Sequence, residues 1–583
     1  MRHSFRSFLV AAILLGAGFR STAQEATFKP IVVISMSSHE RTMQRMRYIG
    51  AMSPNDADGS NFIKNASKLF SMLTRAEGIQ LDQIDGIDGT KPWGMAVVTN
   101  QLDIIPVAFI PVTDLEKALA TLKPILGEAK AGDGGIYEVD ASRMLGALPV
   151  ASLLGASGVE MYVKEQNGWA LLVQLPEHFD LIGDPAKFVG DLPGNYDVTI
   201  RLNVRNIPEA LRTMAVDRAD GLQLSGVSLA PKRAADETEA QFAFREQLGK
   251  PFQNFGTAVL RDAEQLAVGL TVDQEHGQIV GDLVCAAMPD TPLARHFADL
   301  SAVKTRFGGL VPKGDELFAG GMTIKLDTER ISALSKLLEA YRGAVSDLID
   351  NEPAVHDEER DVFHELSDGL ISALQTAVDS GKLDMALNVR TAPGNQVPWT
   401  MVAAAAIPDT KPLDQLLHRL AELTEAEPSA GAVEFDVDHQ GEVAIHVVTL
   451  SPRAESGQEL QMLTNLFGDL KIHVALAPNG AWVAMGGGAL ESIKKAIEGG
   501  EADVPPMRMT MHASPLLPIL AQSMKSPQLG MAMAMMGMQL ASGDAVKVKV
   551  ESTDRTLHVH GIGEKGFLNL ATTIVQLLPA LMK

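Results

Sequence analysis

The residues of this chain best suited to chemistry are three histidines near its C-terminal end. His558 and His560 are separated by Val559 and preceded by Leu557. Along an extended strand, residues two apart project from the same face, so both imidazoles share one side. His512 closes the run Met509-Thr510-Met511-His512, and the same alternation puts it on the polar side of its own strand. Three imidazoles on one sheet face are a ligand set for zinc or copper. A solvated strand face gives the same pattern, and spacing does not bring distant strands together. His512, His558 and His560 are the metal candidates. No cofactor is expected.

The remaining motifs lack parts. His364-Glu365 would need a second histidine four residues after the first to form a zinc-protease helix, and Asp368 stands there. A solvated polar pair is the expectation. Asp82, Asp85 and Asp88 do not follow calcium-loop ligand spacing and read as an acidic connector. Gly486-Gly487-Gly488 joins a strand to a helix without the lysine of a phosphate loop, and reads as a tight turn. Cys285 is the single cysteine, so no intramolecular disulfide forms, and its apolar strand marks it as core. Methionines crowd the last part of the chain: Met507, Met509 and Met511, then Met524, Met531, Met533, Met535, Met536 and Met538. Soft thioethers suit copper(I), yet Met531, Met535 and Met538 share one helical stripe, as core fillers do. No nucleophile elbow, Cys/His pair, dinucleotide fingerprint or paired carboxylates appears.

The elements that position these residues recur. Leu383, Met385, Leu387 and Val389 alternate with polar neighbours, Pro393-Gly394-Asn395 supplies a turn, and residues 399–407 run apolar. Pro408-Asp409-Thr410 then opens a helix with Leu413, Leu416, Leu417 and Leu420 on one stripe, Thr410 serving as its expected cap. The plan returns at residues 266–300, with Thr291 before Pro292. It returns at 93–122, where Thr113 and Glu116 have capping-box spacing, and more loosely at 546–581. Each strand pair follows a strand and helices, giving a β-α-α-β-β-α unit. Pro111 and Pro408 are 297 residues apart, Asp140 and Asp438 are 298 apart, and Asn167 and Asn479 are 312 apart. A long and a short unit, each present twice, account for these offsets. The expected division is a leader at 1–23 and modules at 24–190, 191–310, 311–503 and 504–583. The fold class is α+β: antiparallel or mixed sheets with helices packed on one face.

Arg2, His3 and Arg6 precede an apolar run at residues 8–19, and Ser21-Thr22-Ala23 offers small-residue cleavage before Gln24. This is a secretory leader, too short in its apolar run for a membrane span. No membrane span is expected after its removal. A net charge of −22 argues against nucleic acid as a partner.

The leader, the Pro-Asp-Thr junctions and the Asn-Gly-Trp strand at Asn167-Gly168-Trp169 together resemble uncharacterised exported proteins of planctomycete-type bacteria. The resemblance implies a periplasmic or envelope location and brings no catalytic residues. The expectation is an exported, non-enzymatic binding or scaffold protein with an envelope protein or apolar ligand as partner. A carrier of an apolar ligand in a sheet-helix groove is one alternative, and a hydrolase-type enzyme with a site between modules is another.

Overall fold

The computed structural model describes residues 28–568 except 53–55, 57, 75–79, 101–102, 141–159, 220–232, 235–236, 301–302, 315, 352–356, 393–398, 427–430, 452–457, 469, 513–542 and 567. The leader, the turn at 393–395, the methionines from Met524 to Met538 and most of the last expected helix lie outside the described residues.

The first unit runs β1 (Lys29–Met36), α1 (His39–Ala51), α2 (Ser60–Thr74), β2 (Trp93–Thr99), β3 (Ile104–Pro111) and α3 (Leu115–Leu126). It continues through β4 (Lys130–Ala131), β5 (Ile136–Asp140), β6 (Glu160–Gln166), β7 (Trp169–Val173) and α4 (Pro185–Val189). The second has α5 (Leu192–Asn195), β8 (Val198–Leu202), α6 (Glu209–Ala219), α7 (Glu239–Asp262), β9 (Ala263–Asp273), β10 (Gln278–Ala287), α8 (Pro292–Asp299) and β11 (Val303–Thr305). The third opens with β12 (Glu316–Lys325), α9 (Thr328–Asn351), α10 (Asp357–Asp379), β13 (Lys382–Thr391), β14 (Trp399–Ala405) and α11 (Lys411–Ala426). It closes with β15 (Gly431–Gln440), β16 (Val443–Leu450), α12 (Gln458–Phe467), β17 (Lys471–Ala477), β18 (Gly480–Gly486) and α13 (Ala489–Glu498). The last contributes β19 (Ala502–Val504), β20 (Met507–His512), β21 (Ala545–Thr553) and β22 (Thr556–Gly563). The β-α-α-β-β-α order appears three times in full, and the strands of a fourth copy are present.

Among the described residues twenty strands form one sheet, and β11 pairs with β19 in a separate ribbon. Every pairing among the described strands is antiparallel. Read by hydrogen-bonded neighbours, the first ten strands stand in the order β4-β5-β6-β7-β3-β2-β1-β8-β9-β10. The sheet continues β22-β21-β20-β12-β13-β14-β18-β17-β16-β15. The second half repeats the first in mirrored order, and the β10–β22 pair joins the two edge to edge. An unpaired sheet edge invites non-native pairing, and mutual pairing removes two such edges at once.

Register fixes which residues share a face. One row crosses the central strands as Met385, Met322, Met507, Val550, Val559, Leu283, Val268, Ile200, Ile34 and Met95. The next row on that face reads Leu387, Gly320, Met509, Val548, Gly561, Gly281, Leu270, Val198, Met36 and Trp93. Neither row contains a charged side chain, and the one N–H or O–H donor among their side chains is the Trp93 indole at one end. The opposite face carries Ser35, Thr199, Gly269, Asp282, His560, Lys549, Arg508 and Gly321 in one row.

Helices α3, α7, α8, α10, α11 and α12 pack on the apolar face, burying Leu119, Phe297 and Phe467 among others. The one-face expectation holds for them. Toward the two ends of the sheet the second face is covered as well. Phe179, Phe188 and Val189 lie over Phe109 and Leu171, and Ile493 and Ala496 of α13 lie over Ala386 and Ala404. The physical reason is composition: near the ends the strands are apolar on both faces, and both need cover.

The helix junctions are capped, by partners that differ in part from the expected ones. At α8 Thr291 accepts from the Ala294 amide. At α3 the cap is Asp114, which accepts from the Lys117 amide, and Thr113 is not the cap. At α11 Asp409 accepts from the Lys411 amide, while the Thr410 hydroxyl donates to the Ala477 carbonyl of β17. In both places the carboxylate takes a free amide of the first turn, and at α11 the hydroxyl bonds to the sheet instead.

Candidate functional site

Two of the three candidate histidines come together, and they do so with a residue from the other half of the chain. Asp282 sits on β10 directly opposite His560 of β22. His560 Nδ1 donates to Asp282 Oδ1 at 2.7 Å, and His558 Nε2 donates to the same oxygen at 2.8 Å. The ring centroids are 5.9 Å apart and the planes nearly perpendicular. Two different ring nitrogens, one near the backbone and one far from it, thus converge on one carboxylate oxygen. The three ligand atoms lie within 4.8 Å of one another, the metal-capable cluster found among the described residues.

The surroundings are polar and half-open. The Asp282 side chain is 11% exposed, His560 24% and His558 39%, so the cluster reaches solvent through the histidines. Burial works against the Asp282 carboxylate, but the hydrogen bonds from His560 and His558 outweigh it and hold its pKa below the ordinary value. The Tyr196 hydroxyl is also coupled to Asp282: burial, then that carboxylate, push the phenol pKa up. Gly269, opposite Asp282 on β9, makes room for this ring, since a Cβ there would sit 2.4 Å from Tyr196 Cδ1. On the other side Lys549 is opposite His560 and Glu551 is opposite His558, and these two side chains pair at 3.0 Å.

His512 faces the same side of the sheet but does not join. Its row meets Ala545 on β21, whereas the row of His560 meets Lys549, four residues along, or about 13 Å at ~3.3 Å per residue. Its Nδ1 donates to the buried Asp544 at 2.9 Å. The expected three-histidine set is therefore two histidines and an aspartate. Asp282 was readable in principle, as a lone charge inside an otherwise apolar strand. Its partners lie 276 and 278 residues away, and only the pairing of the halves brings them together.

The chain matches no family model, no curated protein and no solved structure.

The other motifs behave as ordinary structure. His364 pairs with Asp350 at 2.9 Å and Glu365 with Arg419 at 3.2 Å, both on exposed helix surfaces. Asp88 accepts from Thr90 and ion-pairs with Lys91 at 3.0 Å, which together hold its pKa down. Gly486 has φ 100°, and a Cβ there would sit 2.2 Å from the Trp399 carbonyl oxygen, so the triple glycine serves a close strand approach. Cys285 is fully buried, and burial pushes its thiol pKa up to about 12. Met507, Met509 and Met511 lie on the apolar face of β20.

That apolar face is a second candidate surface. Val268 and Leu270 are 40% and 41% exposed, Met385 37% and Met507 50%, and register puts all four on the helix side. Between them Gly281 and Gly561 pair across the junction. A Cβ built on Gly281 would meet nothing within 4 Å, so the floor of the face is open backbone at this point.

Proposed function

We propose that this chain is an exported, non-enzymatic binding protein that holds an extended hydrocarbon-like ligand against the apolar face of its central strands. The observation that carries this reading is the pair of uncharged rows with four half-open aliphatic positions around a glycine floor. Apolar surface left open on the side where helices pack is a binding surface in waiting, worth about 25 cal/mol for each Å² covered. A hydrocarbon chain fits better than a polypeptide here, because the rows carry no charge and, apart from the Trp93 indole N–H at one end, no side-chain N–H or O–H to fix a peptide register. The methionines at one end add adaptable, polarisable contacts. An envelope location, supported by the leader and the disulfide-free composition, would place such a carrier between membranes.

The test uses the tag-free full chain with cis-parinaric acid, a fluorescent hydrocarbon acid, as probe. Saturable binding is expected, and G281V, which fills the floor, should weaken it about 10-fold, a loss of ~1.4 kcal/mol. L270D should weaken it as well, with far-UV circular dichroism unchanged in both variants. Absence of saturable binding by the parent chain, or equal binding by both folded variants, overturns the reading. Export is tested by the intact mass of the protein in the envelope fraction, which should begin at Gln24.

A further inference from the structure

We infer that Asp282, His558 and His560 form a divalent transition-metal site at the junction of the two halves, of the kind that takes Zn²⁺. The site lies on the face opposite the apolar rows, so it stands or falls independently of the ligand proposed above.

Four observations carry it. The ligand set is two imidazoles and a carboxylate, the donors that borderline divalent ions prefer. Histidines two apart on one strand, with the third ligand on the neighbouring strand, point three donor atoms at one place without any loop having to order. The convergence is already tight: both donor nitrogens lie 2.7–2.8 Å from one oxygen, so each contact need open by only about 0.6–0.7 Å to reach the ~3.4 Å between tetrahedral ligand atoms on ~2.1 Å bonds. The site is also supported from outside. Tyr196, seated over Gly269, borders Asp282 on one side, and the Lys549–Glu551 pair borders the histidines on the other.

Chemically, one cation would replace the two N–H donors now satisfying Asp282. Each imidazole would give its converging nitrogen lone pair, and binding would release any proton held there. Three protein ligands leave a fourth position for water or an exogenous group, and the histidines are the exposed side of the cluster. The site is built jointly by the second and fourth units. Metal binding would therefore also clamp β10 to β22 and stabilise the joined sheet by mass action.

The experiment uses the dialysed, tag-free full chain. Zn²⁺ titration by calorimetry should show one equivalent bound at micromolar metal, and Co²⁺ should give the intense visible bands of a low-coordinate site. D282N and H560Q should each weaken Zn²⁺ binding at least about 10-fold, the smallest loss that follows removal of a metal-site partner. H512Q should bind as the parent does. Far-UV circular dichroism establishes that the variants are folded, and either one folded suffices for the comparison. No binding at 100 µM Zn²⁺ (about −5.5 kcal/mol) would overturn the proposal, as would parent-like affinity in whichever of D282N and H560Q is folded.

Discussion

Asp282 and His560 stand directly opposite each other across the β10–β22 junction, each the fifth residue of its strand counted from the hairpin turn. They occupy equivalent places in the two halves. In the first half that place holds an acid, and in the second an imidazole. An interaction therefore exists at the junction that neither half possesses alone. Removing the acid leaves two imidazole N–H groups pointing at a gap. Asp282→Ala is expected to lower stability by about 1–3 kcal/mol, read from the urea midpoint at pH 7. Asp282→Asn, which keeps an acceptor oxygen, should lose less. Equal loss in both would show that packing, not hydrogen bonding, dominates there.

Arg508 presents the opposite situation. Its side chain is buried over Gly321 of β12, and among the described residues none of its three guanidinium nitrogens has a hydrogen-bond partner. The nearest acid of consequence, Asp384, is already engaged by Thr305, Thr323 and the Arg306 amide. Burial pushes the guanidinium pKa down, with Asp384 only partly opposing it. A buried donor set without acceptors costs stability, so Arg508→Met should raise it by about 1–3 kcal/mol in the same urea assay. A decrease would mean that the guanidinium has a partner in solution.

Glu316 sets an acid limit. It is 3% exposed and accepts from the Lys313 and Gly314 amides at 2.6 and 2.8 Å. Burial raises its pKa, but those amides win, and the folded value lies below the ordinary 4.5. A depressed folded pKa contributes stability that is complete above the unfolded value and disappears as pH falls through the folded one. The chain should lose stability below about pH 4.5 more steeply than Glu316→Gln does, as measured by thermal melts from pH 6 to 3. Parallel slopes would show that the amide hydrogen bonds do not favour the carboxylate.

Cys285 should be chemically silent in the native state. Its thiol is buried in the cluster around Phe297, and burial pushes its pKa up to about 12. Almost no thiolate exists at neutral pH, and thiolate is the reactive form. Ellman's reagent should label none of the native protein within the time that labels the urea-unfolded chain completely. Rapid native labelling would show that the core under α8 opens.

Within the described residues, the local grammar of the fold was legible in the sequence. Alternation at Leu383, Met385, Leu387 and Val389 marks β13, the leucine stripe marks α11, and the recurring proline junctions mark three full units. These signals are local because side-chain direction in a strand or helix is fixed within a few residues. The shared face of His558, His560 and His512 was fixed in the same way. The capping partners at α3 and α11 were not, because a carboxylate and a hydroxyl stand one residue apart and either can reach a free amide of the first turn.

What only the tertiary structure decided is how the units meet. Period-2 alternation says which face a residue occupies and nothing about which strand lies beside it. Pairing β10 with β22 is a long-range choice made by backbone hydrogen bonds, which carry no side-chain signature. That choice brought Asp282 to the two histidines, left His512 with Asp544, and aligned separate apolar strands into rows that run across both halves.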